Sequence, residues 1–182
     1  MAIIIGAILV LILGWGLISR SRLARYRREA ESLWADIESH LRKRWEIVPQ
    51  LIEAVRAHAP NQVDIISKVQ DALQQARVAD TLRAHATAEQ ALKDSMFHLF
   101  ALSLENESLR NSDVLAQIQN ALELEEDAVQ KARHRYNDVV YDLNFSVSTF
   151  PRSVIAQLFG YGACDYFSLP TEELEQMERG RR

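Results

Sequence analysis

The sequence predicts an all-α protein, an N-terminal transmembrane helix continuing into an antiparallel bundle of long helices of the four-helix type. Three observations predict it. Residues 2–19 are uncharged and almost wholly apolar, residues 30–55 and 115–150 repeat apolar side chains every seven positions, and 182 residues hold only six glycines and four prolines. With few breakers and few clustered β-branched runs after residue 20, helix is the default state of the chain.

The apolar run comes first in order, AIIIGAILVLILGWGLIS. Eighteen residues at a helical rise give about 27 Å, enough for the hydrocarbon core of a bilayer. Trp15 suits the interface at its end. Positive charge follows the run instead of preceding it, and no small-residue cleavage site or acylatable cysteine appears, so an uncleaved anchor is expected and not a signal peptide. Arg20, Arg22, Arg25, Arg27 and Arg28 follow within nine residues. They place the bundle on the cytoplasmic side with a short N-terminus outside. Among anionic head groups each arginine contributes about 1 kcal/mol. Trp15 and these five arginines are the expected membrane-interface set. The expected organisation is an anchor (1–19), a basic juxtamembrane segment (20–28), a helical bundle (29–169) and a flexible tail (170–182).

Charge separates the two ends of this scheme. Residues 1–28 hold five arginines and no acid, while the other 16 Lys/Arg face 25 Asp/Glu, a balance of −9. A body this acidic is a poor partner for nucleic acid. The single cysteine, Cys164, excludes an internal disulfide and suits a reducing compartment.

No glycine separates the arginines from the next segment, so one rod of about 87 Å is expected from residue 2 to 59. Its bundle part carries two rows: Ala30, Ile37 and Leu51 in one heptad position, Trp34, Leu41, Val48 and Val55 in another. Pro49 predicts a bend, because it lacks the N–H and crowds the carbonyl four residues back, and Pro60 predicts the stop. A second helix is expected near 61–79, with Val63, Ile66, Val69, Leu73 and Ala76 inward. Thr87 to Gln90 reads as a capping box opening a third helix, with Ala88, Leu92, Met96, Leu99 and Ser103 inward and Phe97 and Phe100 widening that face. Residues 107–113 read as a polar connection, with Asn111, Ser112 or Asp113 as the next cap. The fourth helix shows Leu115, Leu122, Val129, Tyr136, Leu143 and Phe150 every seven residues, with Ile118, Ala132 and Val139 beside them. Such a run predicts about 37 helical residues, roughly 55 Å, ended by Pro151. A short helix over 153–159, closed by Gly160 or Gly162, then leads to Tyr161, Tyr166 and Phe167 as plugs for the bundle end.

Searches for chemistry return nothing that points to an enzyme. Phosphate-binding glycine loops, a zinc-protease helix and a nucleophile elbow are absent from the sequence. No histidine has a glutamate three residues before it, as a di-iron bundle requires. Asp36 with His40 and Asp94 with His98 stand one turn apart and could together offer four metal ligands, although surface polar pairs are the ordinary reading. No cofactor is expected. Two charges occupy heptad positions that favour carbon: Arg44 in the row of Ile37 and Leu51, and Glu125 in the row of Ile118 and Ala132. The ordinary reading puts both at a seam margin with their heads in water. The sharper one is a partly buried pair, Arg44 with Glu125, that fixes the register of the first helix on the fourth.

These residues also carry a family resemblance. WADIESHLRKRWEIVPQLIEAV resembles the tryptophan-Ala-Asp and R-R-x-x-x-I-P-x-L region of the LemA family, at Trp34-Ala35-Asp36 and at Arg44 through Leu51, with Pro49 the proline. Ala132-Arg133-His134-Arg135-Tyr136-Asn137 is similar to its A-R-R-x-Y-N motif, and Asn144, Phe150-Pro151 and Phe159-Gly160-Tyr161 to its later Asn, F-P and F-G-F elements. The resemblance covers about residues 25–167 in order, with Gln50 and Leu143 departing from the usual asparagine and aromatic; the tail after Leu169 is outside it. It implies a membrane-tethered long-helix bundle with the N-terminus outside, and supplies no activity and no catalytic residues. Some relatives belong to bacterial organelle membranes, which implies scaffolding or remodelling by analogy. The expected role is therefore a structural scaffold or protein-interaction module at the bacterial inner membrane. It would self-assemble as a homo-oligomer or recruit an unidentified membrane or cytoplasmic protein. A single-pass adaptor carrying a signal to a cytoplasmic partner is the alternative.

Overall fold

The computed structural model describes residues 1–167, and all regular structure among them is helical: α1 (Ala2–His58), α2 (Val63–Val78), α3 (Leu82–Glu105), α4 (Glu107–Arg110), α5 (Asp113–Ser148) and α6 (Arg152–Leu158). The expected tail, 170–182, lies outside the described residues. The chain divides into two compact units, one from Met1–Asp36 with Ala132–Tyr166, the other chiefly from Ile37–Lys131.

In the second unit one core joins four longer helices and one short one. Val48, Leu51, Ile52 and Val55 of α1 meet Ile66, Val69 and Leu73 of α2, Leu92, Met96 and Leu99 of α3, and Leu115, Ile118 and Leu122 of α5. Contacts between α1 and the later chain run antiparallel, with His40 meeting Glu125 and the His58 carbonyl accepting from Asn106. α1 continues through Pro49 to His58, so the proline does not end it. The proline frees the carbonyl of Trp45, four residues back, and an Arg77 guanidinium nitrogen of α2 donates to it at 3.1 Å.

Local capping departs from expectation at α3. Its N-cap is Thr81, extended at φ −117° and ψ 154°, whose hydroxyl accepts from the Ala84 amide at 3.2 Å. Thr87 lies inside the helix and donates to the Arg83 carbonyl, and Gln90 reaches forward to Asp94, so the expected capping box does not form. The inward stripe of α3 is as expected, Ala88, Leu92, Met96, Leu99 and Ser103, but Phe97 is exposed because it sits one residue, about 100°, round from Met96. Val63 is also exposed, at the first position of α2. The expected connection over 107–113 contains α4, which buries Leu109, and Ser112 then caps α5 by accepting from the Leu115 amide at 3.4 Å.

The first unit packs Leu23 of α1 against Leu143 of α5 and Ala156 of α6, with Tyr26, Val147, Ile155, Tyr161 and Cys164 around them. Trp34 and Tyr136 meet with ring centroids 6.0 Å apart. Along α5 the buried stripe passes from Tyr136 to Val140, with Val139 only half-buried. A straight helix drifts from a seven-residue repeat by about 20° per heptad, which moves the facing residue one position on. Phe150, the last residue of the heptad row, lies beyond α5 and is 78% exposed. The Phe150–Pro151 peptide is cis, and Pro151 is the N-cap of α6. Gly160, not Gly162, closes that helix. Its φ of 72° is left-handed, its amide bonds the Gln157 carbonyl at 3.3 Å, and the Tyr161 amide bonds the Ala156 carbonyl at 2.9 Å. This is a Schellman closure.

Candidate functional site

Three places gather the residues that the sequence singles out. The first is the apolar part of α1. Among the described residues it is the one stretch long and apolar enough to cross a membrane, with mean hydropathy 2.3 and only 6% of its eighteen-residue window buried. A core helix of a soluble domain would be mostly covered; this one leaves Ile3, Leu9, Leu11 and Leu13 in the open. At its end Trp15 is exposed, and so are Arg20, Arg22, Arg25, Arg27 and Arg28. The Arg20 guanidinium lies 4.9 Å from the Phe159 ring centroid, Arg25 stacks on Tyr26, and Arg27 donates to Glu31 at 3.0 Å.

The second place is a buried charge cluster on α1, α3 and α5. Arg44 keeps its heptad position between Ile37 and Leu51 and is buried with them, its side chain only 4% exposed. The head therefore does not reach water. It pairs with Glu89 of α3 and donates to Glu126 of α5 at 2.6 Å. Glu125, the partner expected from the heptads, bonds His40 at 2.7 Å instead, so the anticipated Arg44–Glu125 pair is replaced by two neighbouring ones. Lys93 at 2.8 Å and Gln130 at 2.9 Å also donate to Glu126, and the Trp45 indole N–H donates to Glu89 at 2.7 Å. Burial lowers the Arg44 pKa, and the Glu126 carboxylate offsets part of that. For Glu126, burial works toward protonation, but the hydrogen bonds from Lys93 and Gln130 and the charge of Arg44 outweigh it and hold the carboxyl below its ordinary value. Beside the cluster, Trp45 stacks on His85 with rings nearly parallel, at the wall of an open cleft of about 450 Å³ that Arg42, Arg77 and Glu46 also line. Two cations, Arg44 and Lys93, thus stand against two carboxylates, Glu89 and Glu126, and the cluster ties α1, α3 and α5 together.

The third place is where the later motif residues hold the backbone of Cys164 and Asp165 against α5. The Asn144 amide spans the backbone of Cys164, donating to its carbonyl at 2.9 Å and accepting from its N–H at 2.8 Å. The Tyr136 hydroxyl donates to the Asp165 carbonyl at 3.0 Å. Burial, with the nearby Cys164 and Asp165, raises the Tyr136 phenol to about 12. Asn137 is buried, Arg133 half-buried and Asp36 exposed.

A family model described as the LemA family matches residues 33–178, most of the chain. The chain belongs to the LemA family. The match begins at residue 33, just before Trp34 and later than the expected start near residue 25, and runs past Leu169, into the segment expected to be a tail. The comparison with curated proteins returns no match.

Within the LemA region, Trp34, Arg44, Pro49, Tyr136, Asn144, Phe159 and Gly160 divide among packing, the charge cluster and the backbone closures described above. Among the described residues no group of three or more His, Cys, Asp or Glu is placed to hold a metal ion. Three of the four residues weighed as ligands go elsewhere: His40 meets Glu125, Asp94 accepts from Gln90, and His98 lies edge-on to Phe97. Sequence reasoning missed Glu89, Lys93, Glu126 and Arg77. Arg77 had a signal, because Pro49 leaves a carbonyl that some donor must satisfy. Glu89 and Glu126 had none, since an acid on an amphipathic helix ordinarily marks its wet face.

Proposed function

We propose that this LemA-family chain is a membrane-anchored scaffold or protein-interaction module that works by holding and assembling proteins, without catalysing a reaction. Residues 2–19 span the bacterial inner membrane once, the short N-terminus lies outside, and the bundle faces the cytoplasm. The observation that carries this reading is the exposed apolar stretch of α1, which continues as helix into residues that are packed. The basic residues that follow it favour this orientation. The acidic balance after residue 28 speaks against nucleic acid as the partner.

The full-length chain, extracted in mild detergent and sized by light scattering, is expected as a discrete homo-oligomer; a strictly monomeric particle at native density removes self-assembly. Protease added outside intact spheroplasts is expected to leave the bundle whole, and digestion from outside overturns the orientation. The second reading, a single-pass adaptor that passes a signal along α1, draws on the continuity of that helix from Ala2 to His58. A cross-linking capture from membranes that returns a cytoplasmic partner and no second copy of the chain favours it over the scaffold.

A further inference from the structure

α6 is too short to be an anchor, yet it leaves an apolar stripe uncovered. Phe150, Val154 and Leu158 follow one another at four-residue spacing, 78%, 54% and 74% exposed, and Phe159 stands beside them. Residues four apart share a helix face, so Val154 and Leu158 lie on one side of α6, with Phe150 just before its N-cap and Phe159 just after its last residue. The other side is occupied, since Ile155 and Ala156 pack on Leu23 and Leu143. α6 lies at a particular level of α1. A Cβ added at Gly16 would stand 3.6 Å from Ile155 Cδ1, and the Arg20 guanidinium covers the Phe159 ring. Those α1 residues are where the apolar run gives way to arginines. The charge around α6 agrees: no acidic residue occurs between Asp142 and Asp165, Arg152 is the one charged residue there, and Arg20, Arg22 and Arg25 lie on the α1 side.

We propose that α6, with Phe150 and Phe159, is a second membrane contact, lying in the interfacial layer of the same bilayer that α1 enters. It stands beside the end of the apolar stretch of α1, where Gly16 faces Ile155 and Arg20 covers Phe159, and a segment that carries Arg152 and no acid matches anionic head groups. An aromatic and aliphatic stripe on a short interfacial helix suits the depth where head groups meet acyl chains. The proposal rests on the reading of residues 2–19 as membrane-embedded.

The test uses the full-length chain carrying Cys164→Ser, a background in which the Asn144 bonds survive because they go to the backbone of residue 164. Single cysteines, Leu158→Cys or Val154→Cys, carry a bimane fluorophore; Leu9→Cys reports the anchor and Leu124→Cys, exposed on α5, reports water. Each is reconstituted in phosphatidylcholine–phosphatidylglycerol vesicles with or without brominated acyl chains, with helix content checked by circular dichroism. Brominated lipid is expected to quench the labels at 9, 154 and 158, and aqueous iodide to quench those at 154 and 158 several-fold less than the label at 124. If Leu9 is quenched by lipid while 154 and 158 remain as open to iodide as 124, the α6 contact is wrong and the anchor stands. Shelter of 154 and 158 from both quenchers means that protein covers the stripe, a second copy included, and also overturns the proposal. If the label at Leu9 escapes the brominated lipid, the anchor fails and the proposal falls with it.

Discussion

Arg44 stands where an aliphatic side chain would complete the row of Ile37 and Leu51, and it is held there by two carboxylates. Arg44→Met leaves Glu89 and Glu126 without their buried counter-charge, and a loss of about 3–5 kcal/mol is expected in chemical unfolding of the detergent-solubilised chain. In double-mutant cycles Arg44→Met should couple clearly to Glu126→Gln and only weakly to Glu125→Gln, since Glu125 serves His40. The same carboxyl sets an acid limit. Because Glu126 is held below its ordinary value, its contribution is present above about pH 4.5 and is lost as pH falls through the folded value. Tyr136 sets an alkaline one. Its neutral phenol is favoured by folding, so its contribution is complete below pH 10 and disappears as pH rises from 10 to about 12. In an ultraviolet titration one of the five tyrosines should ionise last, near pH 12, and Tyr136→Phe should remove that step. At this scale the sequence was half legible. The heptads marked Arg44 as an exception, but a strict period of seven paired it with residue 125. Its α5 partner lies one position further on, as the stripe does at Val140, while Glu89 comes from a helix whose facing register no local pattern reveals.

At the scale of elements, Pro49 and Arg77 form a unit that α1 and α2 share. The proline frees the Trp45 carbonyl and Arg77 satisfies it. Because that contact is open to water, Arg77→Met should cost only about 1 kcal/mol. The informative measurement is the same substitution in a Pro49→Ala background. There residue 49 regains an N–H for the carbonyl, and the penalty should nearly vanish; an undiminished penalty would mean that Arg77 acts through the charged wall of the cleft. The long elements were plain in the sequence, with α5 running from Asp113 to Ser148 where the heptads placed it. The short ones were not. α4 rests on a single buried leucine, Leu109, within a stretch that otherwise has the composition of a loop. The start of α3 was misplaced because Thr81 and Thr87 both suit a cap, and only the extended backbone at Thr81 decides between them.

For the whole molecule, the exposed run at the beginning of α1 sets how the chain behaves in a cell fraction. Apolar area of this kind is insensitive to ionic strength. Washing membranes with concentrated salt or alkaline carbonate should therefore leave the chain in the pellet, and detergent should release it; appearance in the salt wash would mean that the five arginines alone hold it. The order of chain segments has a consequence for biosynthesis. One unit is assembled from residues 1–36 and 132–166, whereas the core of the other comes from one contiguous span, 48–122. A ribosome adding about 5–20 residues each second needs roughly 5–20 s to make the intervening stretch. During that interval the oily leader can already be seated in lipid and the middle helices can close on themselves, while Leu23 and Tyr26 wait uncovered for a mate that has yet to be translated.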